Sequence, residues 1–209
     1  MESKYVIKNE SEIESVIGVP MEIVKEKIAT KLDDVMKEFI SKSPLVFIST
    51  IDVNGQVDIS PKGDPCGFVK IDAVGNLLIP DRLGNRLTFG FRNIVRNGEI
   101  GLIFVVPNQR ETLRVKGVAT LHNDPSVLAE LQANGKPALL CTYVEVKECF
   151  MHCGKAFIRS NLWRPVTWNE TIESLGAKQL APVFGGDASE RAIQKTNELL
   201  EKAYTDELY

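Results

Sequence analysis

Leu45-Val46-Phe47-Ile48-Ser49-Thr50-Ile51, followed by Asn54-Gly55 and then by Val57-Asp58-Ile59-Ser60-Pro61-Lys62, is the stretch that decides the fold class. Its first seven residues are rich in β-branched side chains and apolar on both parities, the pattern of a strand covered on both faces. Asn-Gly supplies the positive φ angles that a two-residue hairpin turn demands. The return arm alternates, with Val57, Ile59 and Pro61 on one side and Asp58, Ser60 and Lys62 on the other. An antiparallel hairpin is expected here.

Downstream of this hairpin, Phe68 to Asp72, Gly75-Asn76 and Leu77 to Pro80 repeat the strand, turn, strand pattern. Glu99 to Val106 reads as a buried strand, and Glu111 to Leu121 alternates cleanly. Ala138 to Phe150 reads as a long strand and Lys155 to Ser160 as a brief one. Helical spacing occurs over Gly84 to Arg96, after the capping residue Asp124 to about Gln132, and over Ala188 to Ala203. Upstream, residues 20 to 40 carry one amphipathic helical pattern that stops before Ser43-Pro44, because the residue before a proline is pushed out of the helical region. Strands outnumber helices and do not alternate with them, which disfavours a doubly wound sheet. The expected fold class is mainly β (α+β), an antiparallel barrel with flanking helices. The expected organisation is an N-terminal helical extension over 1–43, the barrel over 44–168 and a C-terminal helical segment over 169–209, with Gly185-Gly186 as a joint.

Composition narrows the function classes. The 209 residues are 44% hydrophobic and 25% charged, as in ordinary globular proteins. A formal net charge of −3 gives no general basic face, so neither nucleic acid nor an anionic membrane surface is an expected partner. No apolar run reaches the roughly 18 to 20 residues of a membrane span. The polar, acidic stretch Met1 to Glu14 does not read as a secretory signal, and the expected location is cytoplasmic. Four cysteines are too few for a disulfide scaffold.

Familiar catalytic motifs are missing. Cys149, His152 and Cys153 lack a second ligand pair, so no metal site is expected. No orienting partner is identifiable that would make a cysteine nucleophile with His152 as its base. Gly135-Lys136-Pro137 and Gly154-Lys155-Ala156 lack the rest of a phosphate-binding loop. Trp163 and Trp168 read either as a ring platform or as anchors of a barrel end. The local charge pattern is more informative, because residues 51 to 120 carry nine Lys and Arg against seven acids. Among them Lys62 ends a strand and Asn85-Arg86 opens an expected helix, whose free backbone amides attract anions. These groups either converge on a phosphate or remain solvated surface charges.

The order of these segments resembles the pyridoxamine 5′-phosphate oxidase-like family. The resemblance is carried by Phe47 to Asp52 with Asn54-Gly55, by Val57 to Asp64, and by Leu78-Ile79-Pro80-Asp81-Arg82-Leu83-Gly84-Asn85-Arg86. Gly101 to Val105, Thr112 to Ala119 and His152 to Ser160 with Trp163 follow in family order, and the last string is similar to a bacterial subgroup of FMN-dependent enzymes. The resemblance spans about residues 40 to 168. It implies a split β-barrel homodimer that carries FMN in clefts between its subunits. A barrel of about six strands is filled by its own side chains, which agrees with a ligand on the outside.

Carried over residue by residue, the resemblance places Ser60 and Lys62 beside the flavin and its ribityl chain, and Pro80 and Asp81 along the ring. Asn85 and Arg86 match the pair that holds the phosphate, and Thr112 matches a polar contact on a later strand. Lys155 and Arg159 fall in a terminal strand contributed by the other subunit. The sequence departs from true pyridoxamine-phosphate oxidases in two places. Asn85-Arg86 has one cation fewer than their Arg-Lys pair, and Arg159-Ser160-Asn161 does not supply their Arg-x-His pattern. The implied function is an FMN-dependent oxidoreductase acting on a small-molecule substrate. The alternatives are a non-catalytic flavin or haem binding and storage protein, or a deazaflavin-dependent reductase. Lys155, His152 and Arg159 are the candidate catalytic groups, none of them assigned a role.

Overall fold

The structure, a computed structural model, describes residues 3–168, 173–206 and 208–209. Seven strands form one antiparallel sheet: β1 (Leu45–Ile51), β2 (Val57–Gly63), β3 (Lys70–Ile71), β4 (Leu77–Asp81), β5 (Glu99–Val105), β6 (Thr112–His122) and β7 (Leu140–His152). Their spatial order is β2-β1-β5-β6-β7-β4-β3. The sheet curls into an antiparallel split β-barrel with flanking helices, as expected. The opening hairpin pairs Ser49 with Ile59 and Ile51 with Val57 across the Asn54-Gly55 turn.

The helices are α1 (Glu10–Ile17), α2 (Glu22–Lys25), α3 (Asp34–Lys42), α4 (Phe89–Asn97), α5 (Pro125–Glu130), α6 (Lys155–Arg159), α7 (Leu175–Gly185) and α8 (Glu190–Asp206). The single helix expected over 20 to 40 is two helices, α2 and α3. Between them Ala29 exchanges backbone hydrogen bonds of 2.9 and 2.8 Å with Cys149 of β7. That exchange occupies an edge of β7 beyond its pairing with β4, which ends at Val144. Asp33 then starts α3 by accepting from the Met36 amide at 2.8 Å, the ordinary role of an acidic N-cap.

Inward side chains of the strands make the core. Val46 and Ile48 of β1, Leu102 and Phe104 of β5, Leu113 and Val115 of β6, and Leu77 and Ile79 of β4 are buried together with Met36 and Ile40 of α3. The barrel is thus filled by its own residues. β1 is buried on alternate residues only, which corrects the reading of a doubly covered strand. Val46, Ile48 and Thr50 point inward, whereas Phe47 is 40% exposed on the outer face.

Three further expectations are revised. Lys155–Arg159 is helical rather than a strand, beginning at the buried Gly154. α4 begins at Phe89, so Asn85 and Arg86 lie in the preceding loop rather than at its start. α7 is an unexpected helix, since Pro182 lies inside it and proline is a poor residue for a helix interior. Gly186, half of the expected joint, is the left-handed C-cap of α7. The boundary expected between residues 168 and 169 lies at positions outside the described residues.

Candidate functional site

The sheet order separates β2 from β4 by four strands, yet curling brings their ends together. Two ion pairs join them. Lys62 of β2 is paired with Asp81 of β4, and the Arg82 Nε donates to Asp64 Oδ2 at 2.7 Å. The Asp64 side chain is only 1% exposed, so this second pair is set into the protein rather than laid on its surface. Arg82 also donates from Nη2 to the Leu131 carbonyl at 2.7 Å, while its Nη1 is buried without an acceptor among the described residues.

Above these pairs lies a cavity of about 850 Å³, bounded by β2, by the end of β4, by the 82–88 loop and by the first turn of α4. A volume of this size holds a cofactor-sized ligand. The position of α4 is fixed from β1: Asn93 Nδ2 donates to Thr50 Oγ1 at 3.1 Å, and Asn97 Nδ2 donates to the Ile51 carbonyl at 2.6 Å. Gly90 in the first turn lets the helix approach β2, since a Cβ there would stand 3.3 Å from Asp58 Oδ2.

The helix start has no side-chain cap. Thr88, its N-cap, has φ 56° and makes no side-chain cap, which leaves the first-turn amides without the partner that a capping hydroxyl would give. Arg86 also lies in the left-handed region at φ 60°. Two such non-glycine residues within three positions are uncommon, and strain of this kind is tolerated where a loop is shaped for a ligand. Arg86 is exposed and has no hydrogen-bond or ion-pair partner among the described residues. Asn85 shapes the loop by accepting the Leu87 amide at 3.1 Å.

Six of the nine expected cofactor residues, Ser60, Lys62, Pro80, Asp81, Asn85 and Arg86, line this one cavity. Lys62 and Asp81 neutralise each other, and the Lys62 ammonium also lies 4.8 Å from the centre of the Phe91 ring. Thr112, Lys155 and Arg159 are not brought there. Thr112 is buried opposite His152 on the β6–β7 ladder, and Lys155 and Arg159 are exposed on α6. The three sit away from the cavity of their own chain.

Two cavity residues had no sequence signal, Leu208 and Tyr209. The Tyr209 hydroxyl donates to Asp64 Oδ1 at 2.7 Å across a separation of 145 residues. That hydrogen bond to a carboxylate, then burial, hold the phenol above its ordinary titration range, with the nearby Arg82 charge acting in the opposite sense. The tryptophans act as anchors: Trp163 Nε1 donates to the Gln109 carbonyl at 2.7 Å and Trp168 Nε1 to that of Leu162 at 3.1 Å. Among the described residues no three His, Cys, Asp or Glu side chains gather as a metal site. None of the described helices is long and apolar enough to cross a membrane.

The fold and its cavity define a split-barrel protein with a cofactor-sized cavity between the ends of β2 and β4 and the start of α4. Residues 32–153, more than half of the chain, match the pyridoxamine 5′-phosphate oxidase family, and the protein belongs to that family. Its sequence matches no curated protein. Solved structures similar to it include HupZ of Group A Streptococcus, 19% identical with a TM-score of 0.47, covering 57% of this chain and 93% of that one. A protein of Lactobacillus delbrueckii that bears the oxidase's name is 21% identical with a TM-score of 0.45, over 58% of this chain and 95% of that one. An FMN-binding protein from Syntrophomonas wolfei is 12% identical with a TM-score of 0.40, over 67% of this chain and 96% of that one.

Proposed function

We propose that this protein binds FMN in the cavity between β2, β4 and α4, and that it works as a cytoplasmic, homodimeric FMN-dependent oxidoreductase on a small-molecule substrate. The observation that carries the reading is the pairing of an uncapped helix start with the unpaired Arg86 at one end of a cofactor-sized cavity. Backbone amides and a guanidinium together are the donor set a phosphate monoester takes. The Ser60 hydroxyl adds a polar group along the same site. The donors fit an anionic, polyhydroxylated cofactor with a flat ring.

In this reading Arg86, Asn85 and the first turn of α4 hold the phosphate. Lys62 and Asp81 tie the two halves of the cleft together, and Pro80 offers an apolar wall with no N–H to satisfy. Bound flavin supplies electron-pair transfer, for which the protein provides position and charge. A homodimer is supported by the apolar outer face of β1, β2 and β5. It gives Thr112, Lys155 and Arg159, remote from their own cavity, a second cleft to serve.

The test is a flavin titration followed by fluorescence quenching. The wild-type chain is expected to bind FMN at micromolar concentration or tighter and to be yellow when purified with it. Arg86→Ala should weaken FMN by about 1.5 to 3 kcal/mol, the worth of a charge-assisted contact, and riboflavin hardly at all. Equal loss for both ligands, or preference for a deazaflavin or haem over FMN in competition, overturns the assignment.

A further inference from the structure

Leu208 and Tyr209 are among the walls of the cavity. The main packing partner of α8 is α7, and Tyr209 beyond it reaches the barrel. Tyr209 is anchored twice there: its hydroxyl donates to Asp64 Oδ1 at 2.7 Å, and its backbone oxygen accepts from Lys136 Nζ at 2.7 Å. The two anchors come from separate parts of the chain, one just after β2 and the other in the loop before β7.

The acceptor for the phenol is unusual for a surface contact. Asp64 is buried and already held through its other oxygen by Arg82, so it is fixed before Tyr209 arrives. A rigid acceptor of this kind costs little entropy to engage. The cavity keeps its volume of about 850 Å³ with Tyr209 among its walls, so the ring borders the space instead of filling it. Leu208 beside it is 55% exposed, so little apolar area fastens the segment. A contact resting on two hydrogen bonds and one partly buried ring is local enough to open without unfolding the barrel.

We propose that Leu208 and Tyr209 form a reversible strap, latched on Asp64 and Lys136, which makes Tyr209 a positioning residue that retains the ligand in the cavity. The inference rests on the FMN reading given above. With the strap latched, FMN leaves only after the Asp64 hydrogen bond opens. The strap therefore slows release, and it slows entry as well, because a latched segment that bars exit bars entry by the same path.

The experiment uses the full chain loaded with FMN, Tyr209→Phe, Lys136→Ala and a chain shortened by Leu208 and Tyr209. Dissociation is followed after dilution into an excess of an FMN-binding trap. Tyr209→Phe is expected to speed release by about fivefold to tenfold, the equivalent of one hydrogen bond. Lys136→Ala should act in the same direction, and the shortened chain at least as strongly as Tyr209→Phe. Release rates within about twofold of wild type for all three overturn the strap while leaving FMN binding intact. Failure of the wild type to bind FMN instead overturns the functional reading and the retention role with it. A second readout is independent of flavin. In protein labelled with 3-fluorotyrosine, the Tyr209 resonance, identified by its loss in Tyr209→Phe, should lie away from its position in the denatured chain. Coincidence of the two positions shows an undocked segment and overturns the strap.

Discussion

Asp72 holds the turn between β3 and β4 with one side chain. Its Oδ1 accepts the amides of Val74, Gly75 and Asn76 at 2.9, 2.8 and 2.9 Å, and its Oδ2 accepts the Tyr143 hydroxyl at 2.9 Å. Burial alone would raise its pKa, but the Asn76 amide, the Tyr143 hydroxyl and the other two amides outweigh burial and lower it below 3.8. A carboxyl lowered on folding stabilises the protein above its unfolded pKa and loses that contribution as pH falls through the folded value. Asp72→Asn should therefore cost about 1 to 2 kcal/mol at pH 7, because a charged acceptor becomes a neutral one. Urea unfolding at several pH values checks this: the difference between the two proteins should be constant above pH 5 or so and shrink in acid. A difference that stays the same down to about pH 2 would show that the charge on Asp72 contributes nothing.

At the scale of elements, β6 and β7 depend on a register break. Lys116 pairs with Glu148 and Gly117 with Val146, so Lys147 is an extra residue in β7. Such a bulge reverses the parity of the bulged strand, which is how both Val144 and Cys149 come to be buried. Gly117 sits where β7 bends toward it: a Cβ there would lie 2.3 Å from the Glu145 carbonyl oxygen and 2.9 Å from Val144 Cγ1. Gly117→Ala is therefore expected to destabilise the fold by about 2 to 3 kcal/mol, as overpacking against backbone does. Differential scanning calorimetry should show a thermal midpoint lower by about 5 to 10 °C, and an unchanged midpoint would mean that the ladder slips to make room. This element also shows what was legible in the sequence. β2 and β6 follow from alternation and turn chemistry, and the existence of β1 from its run of β-branched residues, all local properties. The extent of β7 is equally readable, but its bulge is not, because parity changes within it without a glycine or proline to mark the place. Lys155–Arg159 is misread as a strand for a related reason. A five-residue apolar and basic segment suits either conformation, and Gly154 decides it: a Cβ there would stand 2.6 Å from Arg110, a contact distant in sequence.

For the whole molecule, the candidate site was legible where motif order fixes position along the chain, and illegible where it depends on curling. Ser60, Lys62, Pro80, Asp81, Asn85 and Arg86 line one cavity, whereas the Lys62–Asp81 and Asp64–Arg82 ties exist only once β2 and β4 have been brought together. Tyr209 could not have been foreseen, since nothing local marks a partner 145 residues away. The outer sheet face supports the proposed homodimer on separate grounds. Phe47 pairs with Ile103 across β1 and β5, and Ser49 with Ile59 across β1 and β2, so the three strands present one continuous surface. On it Phe47, Ile59, Val57 and Ile103 are 40%, 67%, 62% and 39% exposed. Adjoining apolar side chains at such exposure mark an interaction surface, and strand-borne residues sharing one face make a self-complementary contact about a twofold axis easy to form. A stable dimer buries about 1,200 to 2,000 Å² in total, and an acid at the centre of such a contact would be desolvated without a partner. Phe47→Asp combined with Ile103→Asp, neither of which lines the cavity, should therefore give a folded monomer, with the wild type a dimer, in light scattering after size-exclusion chromatography. Both substituted side chains point outward, so the core and the circular dichroism spectrum should be retained. Because the proposed cleft is completed by the second subunit, the monomer should also bind FMN more weakly by at least about tenfold, a loss of about 1.4 kcal/mol. A wild-type chain that is monomeric at tens of micromolar and still holds FMN would refute the shared cleft, and a substituted dimer would place the interface on another face.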